Sequence, residues 1–117
     1  VEHCLQRGVP ITPGVATPTD IELGMSFGLE VLKLFPAELL GGVRMLKAIS
    51  GPYHQVKFFP TGGISFENVL DYLKLPQVLA CGGSWLVGRD KLASNAFAEI
   101  QETVEKTVAL LRSIAFP

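Results

Sequence analysis

Four short apolar runs recur along the chain, each closed by a turn signal: Val9 to Gly14, Glu30 to Phe35, Val56 to Phe59 and Val78 to Cys81. A helix signal follows each run. Strand-length runs alternating with helix-length segments mark βαβ units, and such units build a parallel sheet buried on both faces. In Thr17-Pro18-Thr19-Asp20 a threonine stands at the N-cap, a proline at the first helical position and an acid in the first turn. Gly28 stops that helix. A loop through Gly41-Gly42 leads into a helix predicted over Val43 to Ile49, broken by Gly51-Pro52. Ser65 is placed to cap a third helix, with Glu67 and Asn68 in its first turn and Val69, Leu70 and Leu73 inward. A longer last helix is predicted from about Asn95 to Ile114, with Phe97, Ile100, Val104, Val108 and Leu111 on its apolar face.

Val1 to Gly8 reads as the tail of a helix ending at a C-cap glycine, so the chain is expected to begin inside an element. Composition points the same way. A length of 117 residues suits one domain, in which about two-thirds of the unfolded surface is buried. With 48% hydrophobic and only 18% charged residues, the chain has little material for a solvated exterior, and it is expected to bury surface against more protein. No low-complexity linker divides it. A net charge of -1 and the lack of any long basic run give no footprint for nucleic acid. No apolar stretch reaches membrane-spanning length and no segment reads as a signal peptide, so no membrane partner is expected. Cys4 and Cys81 are too few for a disulfide framework and fit a cytoplasmic location.

In parallel α/β structures ligands lie at the carboxyl ends of the strands, and the glycine-rich motifs fall there. Thr61-Gly62-Gly63 follows the third run and Gly82-Gly83-Ser84 the fourth. Bare backbone N–H groups on such turns, beside a helix start, suit a phosphate; the same glycines would also serve merely to permit tight turns. Alternation puts Val31, Lys33 and Phe35 on one face of the second strand and Leu32 and Leu34 on the other. If both faces are buried, Lys33 is desolvated, and desolvation favours the neutral amine that attacks a ketone to form a Schiff base. An edge strand would instead leave a solvated lysine. Lys57 stands in the same relation to a proline as Lys33 does (Lys57-Phe58-Phe59-Pro60 against Lys33-Leu34-Phe35-Pro36), and spacing does not separate the two.

Leu32-Lys33-Leu34-Phe35-Pro36-Ala37-Glu38, Phe59-Pro60-Thr61-Gly62-Gly63-Ile64 and Cys81-Gly82-Gly83-Ser84-Trp85-Leu86 together resemble the 2-keto-3-deoxy-6-phosphogluconate (KDPG/KHG) aldolases. Ile11-Thr12-Pro13-Gly14-Val15 and Leu46-Lys47-Ala48-Ile49-Ser50-Gly51-Pro52 are similar to the same family, so the likeness runs from about Gly8 to Val87. The resemblance implies a class I, metal-independent aldolase without cofactor, on a (β/α)8 TIM barrel that assembles as a homotrimer. Residues 1–117 would then be one partial barrel, strands five to eight, with the amino-terminal strands absent. The family implies Lys33 as the Schiff-base lysine, Phe35 as a wall for the pyruvyl group and Thr61 beside the reacting carbonyl. It implies Gly62, Gly63, Gly83 and Ser84 as the phosphate site. The Lys57 position tolerates arginine in the family, which suits a structural role.

The resemblance also marks what cannot be assigned. The family's general-base glutamate, carboxylate-binding arginine and a threonine belong to earlier strands, and Glu38 does not match that glutamate's motif; it reads as a loop or helix-start acid. His3, His54, Cys4 and Cys81 have no metal-ligand spacing. Trp85 and Phe97 are expected to fill core. The implied activity is cleavage of a phosphorylated keto acid to pyruvate and glyceraldehyde 3-phosphate, and 4-hydroxy-2-oxoglutarate is a further expected substrate. The alternative is an inactive phosphate-binding half-barrel that needs a complementing half. A phosphate-binding isomerase or epimerase lacks a strand-end Asp/His pair.

Overall fold

The computed structural model describes residues 1–113. Three short parallel strands, β1 (Gly14–Val15), β2 (Val31–Leu34) and β3 (Lys57–Phe58), lie side by side in sequence order. Gly14 pairs with Lys33 and Val15 with Leu34; Val31 pairs with Lys57 and Leu32 with Phe58. The helices are α1 (Glu2–Gln6), α2 (Pro18–Ser26), α3 (Gly42–Ser50), α4 (Val69–Leu73), α5 (Arg89–Ala93) and α6 (Phe97–Arg112). This is the parallel α/β arrangement that the sequence rhythm predicts.

The first and fourth runs pair less than expected, and proline is the reason in both. Pro10 and Pro13 have no N–H to give a ladder, so regular pairing begins only at Gly14. The run 78–81 forms no continuous strand. It touches β3 through isolated bridges, Phe58 with Val78 and Thr61 with Gly82. The Phe58 N–H donates to the Gln77 carbonyl and the Leu79 N–H to the Phe58 carbonyl, but Pro60 cannot supply the next donor.

The core lies on one side of the sheet. Leu32, Leu34, Phe58 and Val15 are buried together with Ile21 of α2, Leu46 and Ile49 of α3, and Val69, Tyr72 and Leu73 of α4. Gly24 lets α2 approach β2 closely, since a Cβ there would stand 2.7 Å from a Leu32 methyl. Among the described residues, Val31, Lys33, Phe35 and Leu79 of the opposite face stay outside this core. The expectation of a sheet buried on both faces is therefore corrected: Phe35 is 52% exposed, Leu79 is 56% exposed and Lys33 is half-buried.

Local sequence explains most helix ends. The Thr17 hydroxyl accepts from the Asp20 N–H, and the Asp20 carboxylate accepts from the Thr17 N–H at 2.9 Å and the Ala16 N–H at 3.0 Å, which makes a capping box. Gly28, at φ +75°, ends α2 in a Schellman turn: its N–H donates to the Met25 carbonyl and the Leu29 N–H to the Gly24 carbonyl. Gly8 ends α1 in the same way. Ser65 opens a turn that precedes α4 and does not cap the helix directly; its carbonyl accepts from the Val69 N–H and its hydroxyl from the Glu67 N–H.

The last helix packs differently from the sequence reading. Leu111 reaches the core as expected, joined by Leu110 and a buried Thr107, while Val104 and Val108 are exposed and Phe97 is 59% exposed, so Phe97 fills no core. The first half of α6 lies against the unanticipated α5, where Lys91 Nζ donates to Thr103 Oγ1 at 3.3 Å. Only its later turns reach the α4 side. Trp85 packs partly buried against the core, and Ile114 lies outside the described residues.

The capping box gives a testable stability term. Three hydrogen bonds hold the Asp20 carboxyl below the usual carboxylate range, led by the one from Ala16. A lowered folded value means that its contribution is present at neutral pH and lost as pH falls through that value. Thr17→Ala is expected to cost about 1 kcal/mol in urea unfolding. Asp20→Asn is expected to flatten the acid limb of stability between about pH 5 and pH 2, as read by melts across that range.

Candidate active site

At the carboxyl ends of β2 and β3 the ladder continues into the loops. Thr61 N–H donates to the Leu34 carbonyl at 3.0 Å, Ala37 N–H to the Thr61 carbonyl at 2.8 Å, and Glu38 N–H to the Gly62 carbonyl at 3.0 Å. These bonds lay the Pro36-Ala37-Glu38 loop alongside the Thr61-Gly62-Gly63 turn. Gly62 and Gly63 have φ of +92° and +80°, values that side chains rarely adopt, so the turn depends on glycine here. A Cβ on Gly62 would also stand 3.1 Å from the Phe35 ring and from Pro36 Cα.

Phe35, Thr61, Gly62, Gly63, Gly82, Gly83 and Ser84 line one open cleft of ≈ 330 Å³. Six of these seven residues are candidates from the sequence, drawn together from three separate loops. Among the described residues, the backbone N–H groups of Gly63, Gly83 and Ser84 donate to no acceptor. The Thr61 hydroxyl is shielded from solvent and lacks a partner among the described residues. Backbone N–H groups left without acceptors around one cleft suit an anion with several acceptor oxygens.

Lys33 is not one of the cleft's walls. Its amine stands over the Phe35 ring, 5.2 Å from the centroid, and that ring is a wall. Gly14 pairs with Lys33, and a Cβ there would meet nothing within 4 Å, so the strand beside Lys33 is uncovered at that position. The two lysines that spacing leaves equivalent differ in their contacts. Lys57 Nζ donates to the Pro76 carbonyl at 2.8 Å, which ties β3 to the following loop. Lys33 Nζ has no hydrogen-bond or ion-pair partner among the described residues.

Other nucleophile and metal options are weak. Burial pushes the Cys81 thiol up to about 12, so it stays protonated near neutral pH. Among the described residues, no three His, Cys, Asp or Glu side chains gather in a group that could hold a metal ion. No helix there is long and apolar enough to cross a membrane. The sequence reading missed the surroundings of Glu38. It lies in a loop as expected, but it also accepts a hydrogen bond from the buried Tyr72 hydroxyl, thirty-four positions away. No sequence pattern links residues at that separation.

Residues 1–103 match the family model for KDPG and KHG aldolase. The chain belongs to this aldolase family. Over 111 residues it is 47% identical to a 2-dehydro-3-deoxy-phosphogluconate aldolase of Treponema pallidum, covering 95% of this chain and 53% of that protein. The KDPG aldolase of Legionella pneumophila, with pyruvate captured as a covalent carbinolamine, superposes with a TM-score of 0.79 at 44% identity, over 81% of this chain and 46% of that one. A KDPG aldolase of Zymomonas mobilis with 3-phosphoglycerate gives 0.73 at 41% identity, over 75% and 42%. The chain spans about half the length of the curated relatives it matches.

The Gly83 turn makes a testable contact with Trp85, the one tryptophan of the sequence. A Cβ on Gly83 would collide with the Trp85 ring and stand 2.9 Å from the Ile64 carbonyl oxygen. Gly83→Ala is expected to displace Trp85 and shift its fluorescence emission to the red. The same variant is expected to reduce binding of inorganic phosphate, followed by amide shifts of Gly63 and Ser84. Unchanged emission together with unchanged phosphate shifts would count against this packing.

Proposed function

We propose that the chain furnishes the carboxy-terminal half, strands five to eight, of a (β/α)8 class I aldolase. The enzyme cleaves 2-keto-3-deoxy-6-phosphogluconate to pyruvate and glyceraldehyde 3-phosphate, and also acts on 4-hydroxy-2-oxoglutarate. The observation that carries this reading is an amine without a partner among the described residues, over the Phe35 ring that walls a cleft of unused N–H donors. The carbinolamine of pyruvate in the Legionella relative is the adduct that such an amine gives with a ketone. The phosphorylated three-carbon acid in the Zymomonas relative has the charge that the cleft suits.

In this mechanism Lys33 Nζ attacks the C2 carbonyl and water leaves, giving an iminium ion. The C4 hydroxyl then loses its proton, the C3–C4 bond breaks, and its electron pair flows into the iminium to form an enamine. Glyceraldehyde 3-phosphate departs. Protonation at C3 and hydrolysis release pyruvate and restore the amine. Phe35 walls the pyruvyl group, Thr61 hydrogen-bonds near the reacting carbonyl, and Gly62, Gly63, Gly83 and Ser84 hold the phosphate. A base outside this chain moves the protons. The whole enzyme works as a cytoplasmic homotrimer without metal or cofactor.

Borohydride reduction in the presence of pyruvate tests the nucleophile. Lys33→Ala in the full-length enzyme is expected to abolish the stable adduct, and Lys57→Arg to leave it intact because arginine can still donate to the Pro76 carbonyl. Peptide mass placing the label on Lys57 would overturn the assignment.

The isolated chain tests the half-barrel. An uncovered sheet face bearing Phe35 and Leu79 is expected to drive association. Without a positioned base the rate is expected to fall by about 10²–10⁴-fold, and adding the amino-terminal half is expected to restore it. A monomeric preparation cleaving at ordinary enzymatic rates would refute this.

A further inference from the structure

The Gly62–Gly63 turn is linked to α4 along two routes, one through Asn68 just before the helix and one through Glu38. On one side, Asn68 Nδ2 donates to the Gly63 carbonyl at 3.0 Å, and Asn68 Oδ1 accepts from the Ser65 N–H at 2.8 Å. On the other side lies Glu38, whose N–H already bonds the Gly62 carbonyl. Its stem runs directly beneath the turn: a Cβ on Gly63 would stand 2.6 Å from Glu38 Cβ and Cγ. The Glu38 carboxylate in turn accepts from the hydroxyl of Tyr72, a fully buried side chain of α4. Gly42 makes room for this pair, since a Cβ there would come within 2.7 Å of the Tyr72 hydroxyl and 2.8 Å of Glu38 Oε1.

We propose that the Glu38–Tyr72 hydrogen bond is a positioning brace that fixes the Gly62–Gly63 turn against α4 and so sets the grip on the ligand's phosphate. Neither residue touches the ligand. Glu38 is otherwise exposed, and without the Tyr72 hydroxyl its stem is free to rotate under the turn. A freed stem moves the turn, because Gly63 rests on it without a Cβ's clearance. The hydrogen bond joins a charged acceptor to a buried donor, which places it among the stronger kind. The inference rests on the functional reading above and adds to it the origin of phosphate selectivity.

The test uses the full-length enzyme with two substrates, the phosphorylated keto acid and the same acid without its phosphate. Tyr72→Phe keeps the buried ring and removes only the hydroxyl. It is expected to lower kcat/KM for the phosphorylated substrate about tenfold, the equivalent of one charged hydrogen bond, and to weaken inhibition by inorganic phosphate by a similar factor. Activity on the unphosphorylated acid and borohydride trapping of pyruvate at Lys33 are expected to stay within twofold of wild type. Glu38→Ala is expected to match Tyr72→Phe, the double variant to be no worse than either, and Glu38→Gln to be partly rescued because its amide oxygen still accepts. An equal loss on both substrates, or additive losses in the double variant, would mean a merely structural role and would overturn the brace. If wild type discriminates between the substrates and Tyr72→Phe retains that discrimination, the brace alone falls. If wild type neither traps pyruvate nor prefers the phosphorylated acid, the functional reading falls and takes the brace with it.

Discussion

The burial of Leu32 and Leu34 governs the geometry of everything at the strand ends. Both are fully shielded from solvent against α2, α3 and α4, and the period of two along a strand then turns Lys33 and Phe35 to the opposite side. A slip of one residue in β2 would put an ammonium into the apolar layer and two leucines into water. The pairing of Val31 with Lys57 and of Gly14 with Lys33 follows from that choice, and with it the alignment of the two loops that face the cleft. The chemistry at the open end is thus specified by apolar packing at the closed face.

Local signals were the most legible part of the sequence. The Thr17 capping box, the helix stops at Gly8 and Gly28, and the extent of α3 each rest on residues a few positions apart, so pattern and structure agree there. The glycine turns were legible for the same reason, since their placement after apolar runs already implies strand ends. The convergence of Phe35, Thr61, Gly62, Gly63, Gly83 and Ser84 on one cleft followed from the parallel order of the strands.

Features set by distant neighbours were not legible. Lys33 and Lys57 have the same local spacing in sequence, and the contact that sets them apart in the structure, the Pro76 carbonyl on Lys57, is supplied from nineteen positions away. The apolar face of α6 misled because helical period shows which residues could be buried, whereas the arrival of α5 decides which are. The Glu38–Tyr72 contact depends on Gly42 being small, a condition visible only once three elements meet.

Pro60 has an effect that reaches beyond the gap it leaves in the ladder. The wall of the cleft formed by Thr61, Gly62 and Gly63 is fastened by hydrogen bonds from Ala37, Glu38 and Asn68. The wall formed by Gly82, Gly83 and Ser84 is hydrogen-bonded to the sheet chiefly by the Gly82 N–H on the Pro60 carbonyl, at 3.2 Å. Local opening free energies follow the number of such fastenings. The two walls of the cleft are thus held unequally: one is tied to three neighbouring residues, and the other is hung from the sheet at a single proline carbonyl.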